Sequence, residues 1–374
     1  MLWKRRNSMF EPYTLPSGAE LNNRLLLAPM TNFLSEDDGR VSDKELNYYK
    51  RRSKGLGAVI TACANVNAQG KGFDGEIGVD RDELIPGLKQ LADVIHGEGT
   101  KAILQIYHGG RMCPPHLVPE ETPVSASAVA AEREGAVTPR EMTDDEIVQT
   151  IEDFKQATRR AIEAGFDGVE IHGANTYLLQ QFFSPHSNRR TDRWGGDVFE
   201  RMRFPLAIVD AVEEAVQEHA SSPFITGYRL SPEEPHTPGI TLDDTLKFSN
   251  ELAKKELDYL HISLRTFHQP SIREEGGTSV IRQIQDEVGN HIPVIGVGAL
   301  MTKEDVEQAL QTVPLIALGR EMLIDPDWAV KVKEGQTDQI AIEMDHESQE
   351  EVMIPEPMWT RILSVPGWIP QKNK

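Results

Sequence analysis

The feature that most constrains this chain is a repeated alternation of strand-like and helix-like segments. Eight short aliphatic or β-branched runs occur, at 25–30 (LLLAPM), 58–66 (AVITACANV), 101–108 (KAILQIYH), 168–173 (GVEIHG), 225–231 (ITGYRLS), 259–264 (YLHISL), 293–299 (PVIGVGA) and 315–320 (LIALGR). Most lack strict polar alternation, which is the pattern of parallel strands covered on both faces. The stretches between them carry helix signals. Ser42 or Asp43 could cap a helix reaching Tyr49 and Arg52. Thr143 with Glu146, and Thr302 with Asp305, read as capping boxes, and Gly165 ends the long helix that Thr143 opens. Further helical patterns fall near 83–97, 201–216, 242–256, 278–288 and 326–335. Eight strands each followed by a helix predict an α/β chain folded as a single (β/α)8 TIM barrel. The alternative, an open doubly wound sheet, lacks a GxGxxG after the first strand.

The barrel is expected over about 25–336 of the 374 residues, as one domain. Residues 10–24 hold Pro16-Ser17-Gly18-Ala19 between extended pieces and read as a hairpin plugging the barrel floor. Residues 109–142 form a long connection rich in Pro, Ala and Glu, expected to lid the mouth. The tail, 337–374, is acidic and then aromatic. A formal charge of -20 disfavours a nucleic-acid partner. No run of about 20 apolar residues predicts a membrane span. The opening MLWKRRNSMF is basic without an apolar run behind it, so no secretory leader is expected. The only cysteines, Cys63 and Cys113, form no CxxC pair; no metal site is expected, and a reduced, cytoplasmic protein is.

In such barrels chemistry sits where strands end at the C-terminal face, and Thr31, Gln105, His108, His172, Asn175, Arg229 and Arg320 all fall at such ends. Gly298 and Ala299 close the seventh strand, Gly319 and Arg320 the eighth. Glycines let backbone N–H groups approach phosphate oxygens, and an arginine adds a charged fork, so these two ends read as a phosphate site. Arg229, in an apolar strand, needs an anion; that anion is either a ligand or a carboxylate such as Glu233 or Glu170. Gln105 offers donor and acceptor to an imide edge, or is a satisfied core amide. His172 and Asn175, three apart, share a face if a helical turn begins there; together they could hold a carbonyl oxygen, with the Tyr177 phenol as proton source. The competing reading is a capping Asn175 and a packed Tyr177. The charges at Arg189, Arg190, Asp192 and Arg193 read as a salt-bridged turn.

These residues carry a likeness. The stretch GFDGVEIHGANTYLLQQFFSPHSNRRTDRWGGDVFERMRF at 165–204, with LLLAPMT, QIYHGGR, YRLSP and ALGREMLIDPDW, resembles the old yellow enzyme family from about Phe10 to Lys331. The resemblance implies non-covalent FMN at the barrel mouth and NADH or NADPH as hydride donor. By that likeness Ala28, Pro29, Met30 and Thr31 line the ring, and Cys63 stands against it. Gln105 and Arg229 would hold the pyrimidine edge, and Gly298, Ala299, Gly319 and Arg320 the phosphate. His172 and Asn175 would bind the oxygen of an electron-poor alkene of enone type, a quinone or a nitro acceptor, with Tyr177 as proton donor. There are departures: Phe33 where some relatives have a tyrosine, Thr31 where one branch has cysteine, and Ala62-Cys63-Ala64 for a segment more usually containing Glu. Some relatives place a C-terminal arginine in a neighbour's site, so Trp359, Arg361 and Trp368 suggest a homo-oligomer.

Other flavin barrels compete. A dienoyl-CoA-type reductase needs an iron–sulfur cluster and a further nucleotide domain, which two cysteines and 374 residues do not supply. A dihydrouridine-type reductase acts on RNA, for which the charge is wrong. A flavin-binding protein without turnover would not need His172, Asn175 and Tyr177 together.

Overall fold

The computed structural model describes residues 8–274 and 276–372. The basic start, 1–7, and the leader question attached to it lie outside the described residues. Eight parallel strands close a barrel: β1 (Leu25–Leu27), β2 (Ala58–Asn65), β3 (Lys101–Tyr107), β4 (Gly168–Gly173), β5 (Ile225–Leu230), β6 (Tyr259–Ile262), β7 (Val294–Gly296) and β8 (Leu315–Leu318). Each pairs with the next in chain order, and β8 returns to β1 through Ile316 opposite Leu25 and Leu318 opposite Leu27. The closed ring rules out the open doubly wound sheet.

The outer layer is built from α1 (Asp43–Ser53), α2 (Ile85–His96), α3 (Asp144–Glu163), α4 (Arg203–His219), α5 (Leu242–Leu252), α6 (Val280–Val288), α7 (Lys303–Ala309) and α8 (Trp328–Lys333). Their starts are chemically marked. Ser42 caps α1, and Thr143 and Thr302 form capping boxes with Glu146 and Asp305. Gly165 follows α3 with φ +83°, a left-handed stop that glycine adopts without a Cβ penalty. A capping box at Thr241–Asp244 starting α5 was not singled out in the sequence.

At the floor, Tyr13–Thr14 pairs antiparallel with Glu20–Leu21. Leu15, Ala19 and Leu21 from this ribbon join Ile60, Ile103, Ile225, Tyr259, Ile295 and Leu315 in one buried cluster. Asp258, at the foot of β6, accepts from the backbone N–H of Ser17 (2.8 Å) and of Thr226 (2.9 Å), so one carboxylate fastens the ribbon's turn to β5. Among the described residues no helix is long and apolar enough to cross a membrane.

The tail packs on its own barrel. Helix Glu356–Ser364 buries Met358, Trp359 and Ile362 in the main core. The Arg52 guanidinium lies over the Tyr48 ring at 4.0 Å and donates to the Val352 carbonyl, tying α1 to the tail. The expectation of Trp359 as a subunit-contact residue is therefore corrected: its ring is spent on the core of its own chain.

Trp328 links this scaffold to the mouth. It has no exposed surface, and its indole N–H donates to the Met301 carbonyl at 2.9 Å, holding the loop after β7. Trp328→Ala is expected to lower unfolding stability by about 3–5 kcal/mol, and Trp328→Phe by less, because it keeps most of the packed volume. Denaturant unfolding of the two variants checks the order.

Candidate active site

Side chains alternate along a strand, so residues two apart share a face. Rising from the apolar floor cluster, the inward positions turn polar near the C-terminal ends. Ile103 is followed by Gln105, Ile225 by Gly227 and Arg229, and Tyr259 by His261. On β4 the same register carries Glu170 and His172, with His172 opposite Arg229.

These groups form one buried network. Glu170 has no exposed side-chain surface; it accepts from Gln105 Nε2 at 2.7 Å and faces His261 Nδ1 at 2.9 Å. Burial pushes its carboxyl up, but His261, Arg229 and Gln105 outweigh that and hold it below the ordinary value. Burial keeps His261 neutral, which makes Arg229 the cation of the set. Gln105 spends one N–H on Glu170 and keeps its carbonyl and its second N–H for other partners. Arg229 is drawn to Glu170 by charge alone: its Nε is buried and finds no hydrogen-bond partner among the described residues. Glu233, the other carboxylate weighed for it, instead accepts from Ser271 Oγ at 2.7 Å.

Arg229 lines a cleft with Ala28, Pro29, Met30, Gly298, Ala299, Gly319, Arg320 and Trp368. Gly298 sits at φ +134°, and a Cβ there would stand 2.7 Å from the Phe267 nitrogen, so only glycine fits. Gly319 is different. A Cβ there would meet only Ala28 and Met30, at 3.6 and 3.7 Å, so the polypeptide itself does not demand glycine. Arg320 is half-buried, and burial and the neighbouring Arg265 lower its basicity. Two cations side by side, an open glycine and an orphaned buried Arg229 suit a flavin with an anionic tail. Arg265 was not singled out in the sequence, because it follows an unremarkable strand end. Thr31 continues the same loop and is half-buried; Cys63 is buried on β2 opposite Gln105, its thiol pushed up by burial.

On the other side stand His172, Tyr177 and Tyr107. The His172 and Tyr177 rings meet edge to face at 5.0 Å, as do Tyr107 and Tyr177. His172 Nδ1 accepts from the Ala174 backbone N–H at 3.2 Å, which assigns the proton to Nε2. Burial, then Arg229 and His261, keep this imidazole neutral. Burial also holds the Tyr177 phenol well above its ordinary value, so it carries its proton. The helical turn expected at 172–175 is absent. Asn175 and Thr176 have φ +55° and +66°, and the helix starts only at Leu178. Asn175 is exposed; its Oδ1 accepts from Ser263 Oγ at 3.0 Å, and those bonds do not use its amide NH2.

Glu76 is a buried acid the sequence reading missed. It accepts from the Tyr107 hydroxyl and from the Gly72 N–H, while Oε1 has no partner among the described residues. Burial holds its carboxyl well above the ordinary value, and Tyr107 links it to Tyr177. It lies in a glycine-rich loop with no strand or motif to mark it. The mouth is fastened by Gln181, which bonds Arg111 N (3.1 Å), Ser125 Oγ (2.9 Å) and the Thr176 carbonyl (2.6 Å). Arg190 pairs with Asp192 at 2.5 Å and donates to the Ala126 and Met142 carbonyls, so that charged run does knit the loops.

The comparisons agree with this geometry. The family model for the NADH:flavin oxidoreductase / NADH oxidase family matches residues 8–339. The probable NADH-dependent flavin oxidoreductase YqiG of Bacillus subtilis is 48% identical over 367 residues, covering 98% of each chain. The NADH:fumarate oxidoreductase of Klebsiella pneumoniae is 45% identical over 94% of this chain, but this chain spans only 38% of that protein. Among solved structures, morphinone reductase in complex with tetrahydroNAD superposes with a TM-score of 0.72 at 28% identity, covering 88% of this chain and 91% of that one. The fold and site thus define an FMN-dependent oxidoreductase that draws hydride from a nicotinamide nucleotide. The chain belongs to the NADH:flavin oxidoreductase / NADH oxidase family, the old yellow enzyme group.

One acid behind the site has a measurable consequence. Glu45 on α1 accepts from Asn32 Nδ2 (2.9 Å) and Ser35 Oγ (2.6 Å), fixing the loop that follows Thr31, and burial raises its carboxyl to about 7. The folded value exceeds the unfolded one, so Glu45 costs nothing below about pH 4.5, and a penalty grows up to about pH 7. Glu45→Gln is expected to gain stability relative to the parent as pH rises, little at pH 5 and up to about 3 kcal/mol at pH 8. Unfolding curves at the two pH values check it; a gain that does not change with pH would refute the assignment.

Proposed function

We propose that this enzyme reduces electron-poor acceptors of enone, quinone or nitro type with hydride from NADH or NADPH. The observation that carries the reading is His172, whose Nδ1 accepts from the Ala174 N–H, leaving the proton on Nε2, and whose ring meets Tyr177 edge to face. FMN, when bound, would supply the hydride chemistry between nucleotide and acceptor. Ala28, Pro29, Met30, Thr31 and Cys63 would pack on its ring, and Gln105 would accept from its imide N–H. Arg229 would place positive charge at the same edge, and Gly298, Ala299, Gly319 and Arg320 would receive the phosphate.

For an enone, negative charge develops on the carbonyl oxygen as the β-carbon is reduced. A donor fixed in advance at that oxygen stabilises the transition state more than the ground state. His172 Nε2–H and the amide of Asn175 fit that task. Tyr177 O–H is the proton source for the α-carbon, and burial weakens its acidity, which keeps the proton in place until carbon is basic enough to take it. The small-molecule reading, the buried free thiols Cys63 and Cys113 and the acidic surface together favour a cytoplasmic setting. Exposed Met353 and Val365 on the tail leave an apolar rim suited to a second copy of the chain.

Two experiments test this. Tyr177→Phe should leave the half-reaction with the nucleotide nearly unchanged and slow reduction of an enone by roughly 10²-fold, while quinone reduction survives. Equal slowing of both half-reactions in stopped flow would make Tyr177 a packing residue. Arg320→Ala should weaken FMN binding by about 1.5–3 kcal/mol, read from released flavin fluorescence; unchanged affinity would remove Arg320 from the cradle.

A further inference from the structure

We propose that Glu132, His186 and His236 form a binding site for a divalent transition-metal ion, zinc being the best match, which pins the 109–142 loop to the loops after β4 and β5. The three residues come from three separate loops on the mouth side of the barrel, and one candidate ligand atom from each lies within 4.8 Å of the others. His236 Nε2 stands 3.0 Å from one Glu132 oxygen, and His186 Nε2 stands 3.6 Å from the other. The two imidazoles stack at 4.0 Å between centroids with a 33° tilt, so both present an edge to the same carboxylate.

The arrangement is not explained by hydrogen bonding alone. His186 Nε2 is shielded from solvent and has no partner among the described residues, and 3.6 Å is too long for a hydrogen bond. His236 Nδ1 is likewise buried and unpartnered. Buried polar atoms without partners are uncommon and ask for a cause. An ion bound to both imidazoles and the carboxylate would satisfy the His186 nitrogen.

The dimensions suit a tetrahedral ion. Bonds of about 2.0–2.2 Å place ligand atoms about 3.3–3.6 Å apart, whereas one atom from each of the three residues lies within 4.8 Å of the others, so binding requires the Glu132 carboxylate to turn and the widest separation to close by up to about 1 Å. The Glu132 side chain is 63% exposed and can supply it by rotation. Three protein ligands leave a fourth position for water. Two imidazoles favour zinc, nickel, cobalt or copper over magnesium and calcium, which prefer oxygen. Arg111 opposes a cation nearby, but its guanidinium is tied to the Val129 and Ala130 carbonyls, and Glu234 offsets its charge. Cysteine spacing could not reveal this site, because it uses none and its members are far apart in sequence.

The test uses the FMN-loaded, full-length chain stripped with a chelator and titrated with zinc chloride by calorimetry. Expected are one zinc per chain, a rise of roughly a few degrees in melting temperature at saturation, and slower proteolytic nicking of the 129–137 segment. Magnesium should reproduce none of these. Glu132→Gln and His236→Asn should each weaken zinc binding by more than about tenfold, the loss that even an outer-shell change brings. Their unaltered flavin absorbance would show that they fold. Absence of saturable zinc binding, or binding that survives in the Glu132→Gln/His236→Asn double variant, would overturn the site.

Discussion

Glu170 is an acid with no exposed surface inside the barrel, and it stays ionised only because of what surrounds it. An isolated buried carboxylate would pick up a proton or cost several kcal/mol. Gln105 turns an N–H toward it from the neighbouring β3, His261 turns one from β6 across β5, and Arg229 on β5 supplies the opposing charge. Each partner is fixed in turn. Gln105 loses the freedom to flip its amide, His261 is held as a neutral donor, and Arg229 is retained in the interior without using its Nε. A guanidinium held by charge but not by hydrogen bonds is a guanidinium with donors to spare, and those donors face the cleft.

The barrel makes this possible by dividing its inner face into two levels. Below, Ile60, Ile103, Ile225, Ile295 and the ribbon residues Leu15 and Leu21 close the floor with apolar packing. Above, the same inward register carries Gln105, Glu170, His172, Arg229 and His261. The apolar level denies water a path from beneath, which strengthens every electrostatic interaction at the level above. Tyr259 fits inside only because Gly227 faces it; a Cβ there would collide with its ring. Core packing and site chemistry are therefore two ends of the same set of strands.

That arithmetic of alternate residues is why so much was legible in advance. All eight strands lie where their aliphatic runs predict, and the errors share one direction. The runs at 25–30, 259–264, 293–299 and 315–320 extend past the observed ends at Leu27, Ile262, Gly296 and Leu318. The overrun residues, such as Met30, Leu264, Gly298 and Gly319, leave the ladder and line the cleft. Apolar patterning cannot distinguish a residue that continues a sheet from one that packs on a ligand. Glu170 and His261 were as visible as Gln105, being polar residues at inward strand positions. Glu76 and the left-handed turn at Asn175 were not, since loop geometry depends on partners such as Ser231 and Ser263 that only the fold brings near.

The same distinction separates what the site holds constant from what it can vary. The cleft beside Arg320 is built from strand ends and backbone conformation: Gly298 is locked by contact with Phe267, and Ala28 N is bonded to the Leu318 carbonyl at 2.7 Å. A side chain added at Gly298 meets the backbone itself, although Gly319 beside it has room for one. The opposite wall is built largely from loops, which bring Phe33, Phe73 and Tyr177 edge to face onto Tyr107 at the end of β3. Phe33 holds a left-handed φ of +59°, and Phe73 stands in a glycine-flanked turn, so these rings owe their places to loop packing rather than to a sheet. A family can therefore keep one set of strand ends while exchanging loops to admit different acceptors.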